Sequence, residues 1–574
     1  MREACYEVQT SPKHFTLVSL FSFFMLVNSP IRSIHVVHGF VLHYGARGGR
    51  AIMAKGHGAA AGTSLVPSAR VSRWCGFDLA QTRVALALFI FLWMPLVAWH
   101  EHVAFRVTSN SCTWPSIEGA SSPVSHVAVI ADPQLTDHTS YRECPKDSWT
   151  LSLVQRLCDA YQHRAFRLAV LPKRPDRVLF VGDLIDGGWQ TGDGKVFDTN
   201  AKRFGRIFRG GEAPSSEGEA ISSSFDSKNK MFLSVHGNHD VGYAAYGEKY
   251  EGIQTRHEQR FGVSNYVEHI GGVDVIAVNA MALDGGENST RTMETLRFVE
   301  ALGDTNETKN KSNQPRVLVT HLPLFKRNNE LLPGSCGSMR AGPVIQPRVR
   351  KNRQGGIEYQ DYLSQKSSDF LLKTVKPVLV LAGHDHDRCE WVHELVTSYT
   401  SENNEVEVEG APTDTTQNIQ IPELTLGTFS WLMGNPAPSF ALMTLVGEEE
   451  DSEEVFTNNP AAVETCDLPE HLFGVWRYAY LGSVSTCVLL IWPSLRITAG
   501  FILSDSPETF ARRVGVHFWD SKPATKKNSM VARLKVWLSL IVLSVWRHCG
   551  PLFVLAVAVI AAIVGGTLWD LSRF

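Results

Sequence analysis

Five short polar clusters punctuate this chain between residues 132 and 386, and each follows a run rich in Val, Ile, Leu or Phe. In order they are Asp132-Pro133-Gln134, Gly182-Asp183-Leu184-Ile185-Asp186, Gly237-Asn238-His239-Asp240, Thr320-His321 and Gly383-His384-Asp385-His386. A short aliphatic run bounded by turn residues reads as a buried strand. Each cluster therefore sits where a strand ends. Asp, Asn and His converging from several strand ends supply hard oxygen donors and imidazole, the donor set that a pair of divalent cations takes. Any one cluster alone reads as a turn, because Gly, Asp and Asn suit turns. Their conjunction carries the argument.

Two cations a few ångströms apart can share a water, lower its pKa and clamp the oxygens of a phosphate for in-line attack. The leaving oxygen then needs a proton, a role that suits His239 beside the ligand candidate Asn238. Between the clusters, strand and helix signals alternate. Val127–Ile130, Val178–Val181, Phe232–Val235, Val273–Val278, Val317–Thr320 and Val378–Leu381 read as strands, and Ser148–Leu168 has helical spacing. Alternation of this kind predicts a layered α/β domain.

The ordered clusters resemble the calcineurin-like metallophosphoesterase superfamily, whose signature reads Asp-x-His, Gly-Asp-x-x-Asp, Gly-Asn-His-Asp/Glu, a lone His and Gly-His-x-His. The resemblance covers roughly Val127 to Val446. It implies two packed mixed β-sheets flanked by helices, spanning residues 125–446, with the metals at the strand ends. It further implies that Asp183 bridges both metals, that Asp132 and His386 hold the first, and that Asn238, His321 and His384 hold the second. His239 matches the catalytic histidine of the family, with Asp240 orienting it or hydrogen-bonding behind the ligands. One position departs from the pattern: Gln134 stands where the signature has histidine. A glutamine carbonyl ligates a hard cation less strongly than imidazole, and Asp137 and His138 lie close enough in sequence to compensate.

The apolar stretches outside this region shape the rest of the reading. Val84–Trp99 is almost wholly apolar, follows Arg70, Arg73 and Arg83, and extends to a span over residues 82–103. The positive-inside rule places the preceding residues in the cytosol and the phosphoesterase region across the membrane. A second span is expected at 473–492, a basic cytosolic loop at 493–533, and one or two further membrane segments at 534–569. Residues 447–470 read as an acidic linker. Residues 1–80 read as a poorly structured cytosolic region, with a start-site artefact as the favoured explanation and Met53 as the alternative start.

Lumenal placement fits three glycosylation triplets that begin at Asn288, Asn306 and Asn310. It also permits disulfides among Cys112, Cys144, Cys158, Cys336, Cys389 and Cys466, in pairings that sequence leaves open. Two inserts interrupt the core. Gln190–Lys230 reads as a loop, and Lys326–Gln360 as a basic flap that holds an anionic substrate, approaches lipid headgroups or is simply solvated. Thr400–Gln420 reads as an exposed polar loop. A net charge of −3 with pI near 6.7 points away from nucleic acid.

Within the superfamily, membrane tethering and the opening Ala131-Asp132-Pro133-Gln134 resemble the endoplasmic-reticulum branch that remodels glycosylphosphatidylinositol (GPI) anchors. The resemblance implies a phosphodiesterase that removes an ethanolamine-phosphate side branch from the anchor glycan and so supports export of anchored proteins. Its cofactor would be two divalent metal ions, manganese first, with iron or zinc as alternatives. Its partners would be GPI-anchored proteins or the glycolipid itself, the membrane, and cargo receptors. Two alternatives stay open: another membrane-bound phosphoesterase acting on proteins, nucleotides or lipid headgroups, or a non-catalytic cargo-sorting relative.

Overall fold

The computed structural model describes residues 79–491, except the stretches 119–123, 142–147, 209–230, 245–250, 287–288, 305–313, 327–347, 400–414, 432–434 and 448–459 and the single positions 191, 193 and 436, together with four residues beyond 491. Contacts divide the chain into two compact units, and the unit containing Phe89–Arg477 holds all five clusters.

Two sheets form its centre. The first has five strands in the order β13-β12-β1-β2-β3, where β1 is Val124–Ile130, β2 Arg177–Val181, β3 Phe232–Val235, β12 Ser439–Val446 and β13 Ala461–Asp467. The second has six strands in the order β10-β11-β9-β6-β5-β4, with β4 Tyr266–Ile270, β5 Val273–Ala277, β6 Arg316–Val319, β9 Leu379–Ala382, β10 Cys389–Tyr399 and β11 Thr415–Thr425. Strands β1, β2 and β3 run parallel, as do β5, β6, β9 and β11, while β12, β13, β4 and β10 pair antiparallel at the flanks. A hairpin of β7 (Val349–Lys351) and β8 (Ile357–Gln360) stands apart.

The period-2 alternation of strand side chains builds three cores. Val127 and Val129 of β1, Leu179 and Val181 of β2, and Met443 and Leu445 of β12 meet Val275 of β5, Val317 and Val319 of β6 and Leu381 of β9 between the sheets. On the outer face of the first sheet, Ile130, Phe180 and Phe232 pack against Phe166, Phe204 and Phe208. On the outer face of the second, Ile276, Leu318 and Val380 pack against Val299, Leu371 and Val375 from the helices Thr290–Asp304 and Gln365–Val375. Each such side chain contributes about 1.5–3 kcal/mol on leaving water, so strands buried on both faces hold their ends rigid. The mixed sandwich expected from the sequence is present. The helix expected at 148–168 begins at Trp149, where the Ser148 hydroxyl accepts a hydrogen bond from the Leu151 amide.

Several expectations need correction. The loop expected at Gln190–Lys230 contains an amphipathic helix, Gly194–Ile207, that buries Phe197, Ala201, Phe204 and Ile207. Part of the 400–420 loop is the first half of β11, and the 447–470 linker ends in β13, which pairs with β12 and carries Cys466 into a disulfide with Cys112. Cys158 is free and buried. The basic flap closes in the β7–β8 hairpin, and Lys326 at its start is 3 % exposed and ion-paired with Glu423. The glycosylation triplets begin at residues outside those described.

One helix among the described residues, Arg83–Ser111, is long and apolar enough to cross a membrane. Phe91, Leu86 and Met94 are exposed on it. The helix does not stop near residue 103, where the sequence suggested the span would end. Phe105 lies buried edge-on against Tyr161, and Glu101 pairs with Arg164 at 2.6 Å in the interior. Its last turns therefore belong to the domain core. The second expected span coincides with the helix His471–Thr486 and a π-helical turn to Ile491, and the third lies almost wholly outside the described residues.

Candidate active site

The five clusters follow β1, β2, β3, β6 and β9, whose ends lie side by side in the two facing sheets. The structure brings Asp132, Gln134, Asp183, Asn238, His321, His384 and His386 into one cluster. Donor atoms of Asp183, His321 and His384 lie within 4.8 Å of one another, and so do those of Asp132, Asp183 and His386. Asp183 is common to both groups, as a bridging carboxylate must be. Asn238 Oδ1 lies 3.0 Å from His321 Nε2.

The backbone here is strained. Asp132, Gln134, Asp183, His384 and His386 all have positive φ, between 35° and 72°. Non-glycine residues take this region at a cost of about 1–3 kcal/mol each, and they persist where surrounding structure enforces them. The motif glycines answer to close approach. A side chain on Gly182 would collide with the His321 ring, and one on Gly237 with the Asp183 carboxylate.

Hydrogen bonds fix which atom each side chain offers. His321 Nδ1 donates to the Val181 carbonyl at 2.9 Å, which leaves Nε2 facing Asp183. The His384 Nε2–H donates to the Gln360 carbonyl at 3.1 Å, so Nδ1 is its free atom. A backbone or carboxylate partner of this kind sets the tautomer of a ligating histidine. Gln134 donates from Nε2 to Asp183 Oδ2 at 2.8 Å, while its Oε1 is buried with no hydrogen-bond partner. An orphaned amide oxygen beside two buried carboxylates suits a cation, because an unsatisfied buried acceptor is costly. Asp137 does not compensate for the missing histidine. Its carboxylate accepts from the Thr139 amide and hydroxyl and from Asn200, and the half-buried His138 joins neither ligand group.

The charges are strongly shifted. Burial alone would raise the Asp183 pKa, yet the neighbouring His321 and His239 hold it far below the usual carboxylate range. Burial raises that of Asp132. Burial would lower the pKa of His321, but Asp183 outweighs it and lifts the group to about 9. His384 is pushed down by burial and by His321, so it is a neutral imidazole. A divalent cation would compete with the His321 proton for the same carboxylate.

His239 stands apart from the ligands, with 34 % of its side chain exposed. Its Nδ1 contacts the Asp186 carbonyl at 2.7 Å and carboxylate at 2.9 Å. Burial opposes charge on the ring, but Asp183 and Asp186 prevail and raise its pKa well above the ordinary value. The partner that orients His239 is thus Asp186, the last residue of the second cluster. Asp240 is fully buried, and its carboxylate accepts from the Leu184, Ile185 and Gly237 amides, clamping the second cluster to the third. It therefore acts behind the ligands rather than on His239. Its carboxylate lies 3.5 Å from the buried His257. That residue, on the helix Glu251–Phe261, had no signal in sequence, whereas Asp186 was legible in the Gly-Asp-x-x-Asp spacing.

A sandwich with carboxylates and imidazoles gathered at its strand ends defines a metal-dependent phosphoester hydrolase. The family comparison agrees: residues 125–388 match the calcineurin-like phosphoesterase family. Among its relatives are Cell division control protein 1 of Saccharomyces cerevisiae, 24 % identical over 69 % of this chain and 72 % of that protein, and Metallophosphoesterase 1 of Danio rerio, 26 % identical over 72 % of this chain and 91 % of its own. Metallophosphoesterase 1 of Mus musculus is 25 % identical over 64 % of this chain and 79 % of its own.

Proposed function

We propose that this chain is a membrane-anchored phosphodiesterase of the endoplasmic-reticulum lumen that removes an ethanolamine-phosphate side branch from the glycan of GPI anchors. Two divalent ions, manganese by preference, would be held by Asp132, Gln134, Asp183 and His386 on one side and by Asp183, Asn238, His321 and His384 on the other. Bound there, they supply Lewis acidity to the phosphate and an activated water. His239 holds a proton on Nε2 towards the opening and gives it to the departing sugar oxygen, while Asp186 fixes the ring and favours its charged form. Asp240 keeps the second and third clusters in register.

The observation that carries this reading is the helix Arg83–Ser111, which exposes an apolar stretch and then enters the core of the phosphoesterase domain. A site tethered in this way meets lipid-anchored substrates at high effective concentration. The Cys112–Cys466 disulfide supports an oxidising compartment. The test is mass spectrometry of anchor glycans from cells that carry only Asp183→Asn. An ethanolamine phosphate retained on a mannose is the expected result. Glycans identical to wild type would redirect the search to other membrane phosphoesters.

A further inference from the structure

The β7–β8 hairpin lies over the second ligand group, since the Gln360 carbonyl that ends β8 holds His384. Arg350 of β7 pairs across the hairpin with Tyr359 of β8, so both side chains leave on one face. On that face the Tyr359 ring stands 6.3 Å from the His384 ring and 5.7 Å from the ring of Tyr243, which itself meets His384 at 6.2 Å. The Arg350 guanidinium lies 5.5 Å above the Tyr359 ring.

Its neighbour Arg348 also lies over the Tyr359 ring, at 5.4 Å, but is held by the Asp361 carboxylate and the Tyr359 hydroxyl. Arg350 has no carboxylate partner among the described residues, and its Nε is buried with no hydrogen bond. The Tyr243 hydroxyl, on a side chain 7 % exposed, is likewise buried without a partner, in the electrostatic range of Asp183 and Arg350. Two unmatched donors thus lie on side chains that both pack against the Tyr359 ring, beside His384. Stacking on Tyr359 pre-orients a planar fork whose geometry matches phosphate oxygens.

We infer that Arg350 grips the non-bridging oxygens of the bound phosphoester, with the Tyr243 hydroxyl beneath it, and so determines specificity for an anionic phosphate. The inference rests on the phosphoesterase reading of the same site.

The test measures inorganic phosphate binding calorimetrically on the metal-loaded full-length protein in detergent, with metal content assayed in parallel. Arg350→Gln should keep its metal and bind phosphate about 10- to 100-fold more weakly, the worth of one charge-assisted contact. Arg350→Lys should recover part of that loss. Arg353→Gln, at the exposed hairpin tip, should bind as wild type does. Equal affinity in wild type and Arg350→Gln at equal metal content would overturn the inference. An equal loss in Arg353→Gln would do so too, because the effect would then be bulk charge. Arg350-dependent phosphate binding alongside unchanged anchor glycans in Asp183→Asn cells would sink the GPI substrate and leave the subsite standing.

Discussion

Two of the buried charge clusters among the described residues differ in how completely they satisfy themselves. On β11, Glu423 accepts from the Leu324 amide at 3.1 Å and from His393 of β10 at 2.8 Å, and pairs with Lys326 at 3.0 Å. Lys326 completes its coordination on the Thr425 hydroxyl at 2.9 Å. None of these residues has positive φ. In the pocket, five residues are in the left-handed region and Gln134 Oε1 is stranded. A cluster that closes on itself is scaffold. A strained cluster with unmatched atoms is shaped for something that arrives.

The sharpest way to break this contrast is to remove one carboxylate from each. Asp183→Asn keeps the shape of the side chain but loses the charge shared by both ligand groups. Turnover should fall below detection and bound metal should drop, with the fold retained. Retained turnover would refute the bridging role. His239→Ala comes next: metal content should be unchanged while kcat falls about 10²–10⁴-fold, the usual worth of a general acid. A loss of metal in that variant would move His239 among the ligands.

Glu423→Gln should behave in the opposite way, leaving Lys326 as a buried unpaired charge. Breaking such a pair costs about 3–5 kcal/mol, read as a lower Tm. The pH dependence has a definite sign. Burial would raise the Glu423 pKa, but Lys326 and His393 pull it down to about 2, below the ordinary value of about 4.3. The stabilisation is full above the ordinary value and is lost as pH falls towards 2. Wild-type stability should therefore decline across that acid window more steeply than that of Glu423→Gln. Parallel curves would show that the pair adds nothing.

What the sequence revealed follows the same division. The ligand candidates were legible because glycine, aspartate and histidine after aliphatic strands are local signals. The satisfied cluster was not, because Lys326, His393 and Glu423 meet only when β6, β9, β10 and β11 are assembled, and Lys326 read as part of a solvent-facing flap. The helix Gly194–Ile207 was hidden by the Gly- and Ser-rich chain after it. Strand β13 was missed because its alternation follows an acidic run. Asp186 was in view, yet the choice between it and Asp240 as the partner of His239 needed the path of the backbone.

The mildest test bears on Gln134, where the chain departs from the calcineurin-like signature. The amide spends Nε2 on Asp183 and holds Oε1 without a partner. If that oxygen faces the first metal, Gln134→His replaces a weak neutral oxygen donor with imidazole, a stronger ligand for a transition metal. Affinity for manganese or zinc at the first position should rise by about tenfold, the scale on which neighbours of a metal ligand act. Loss of the Asp183 contact works against the gain, so the net effect is the smallest of the set. Titration of the metal-free protein would resolve two steps. The looser step should tighten in Gln134→His, and the tighter step should hold. If neither step moved, Gln134 would belong with the satisfied cluster, as a donor to Asp183 and nothing more.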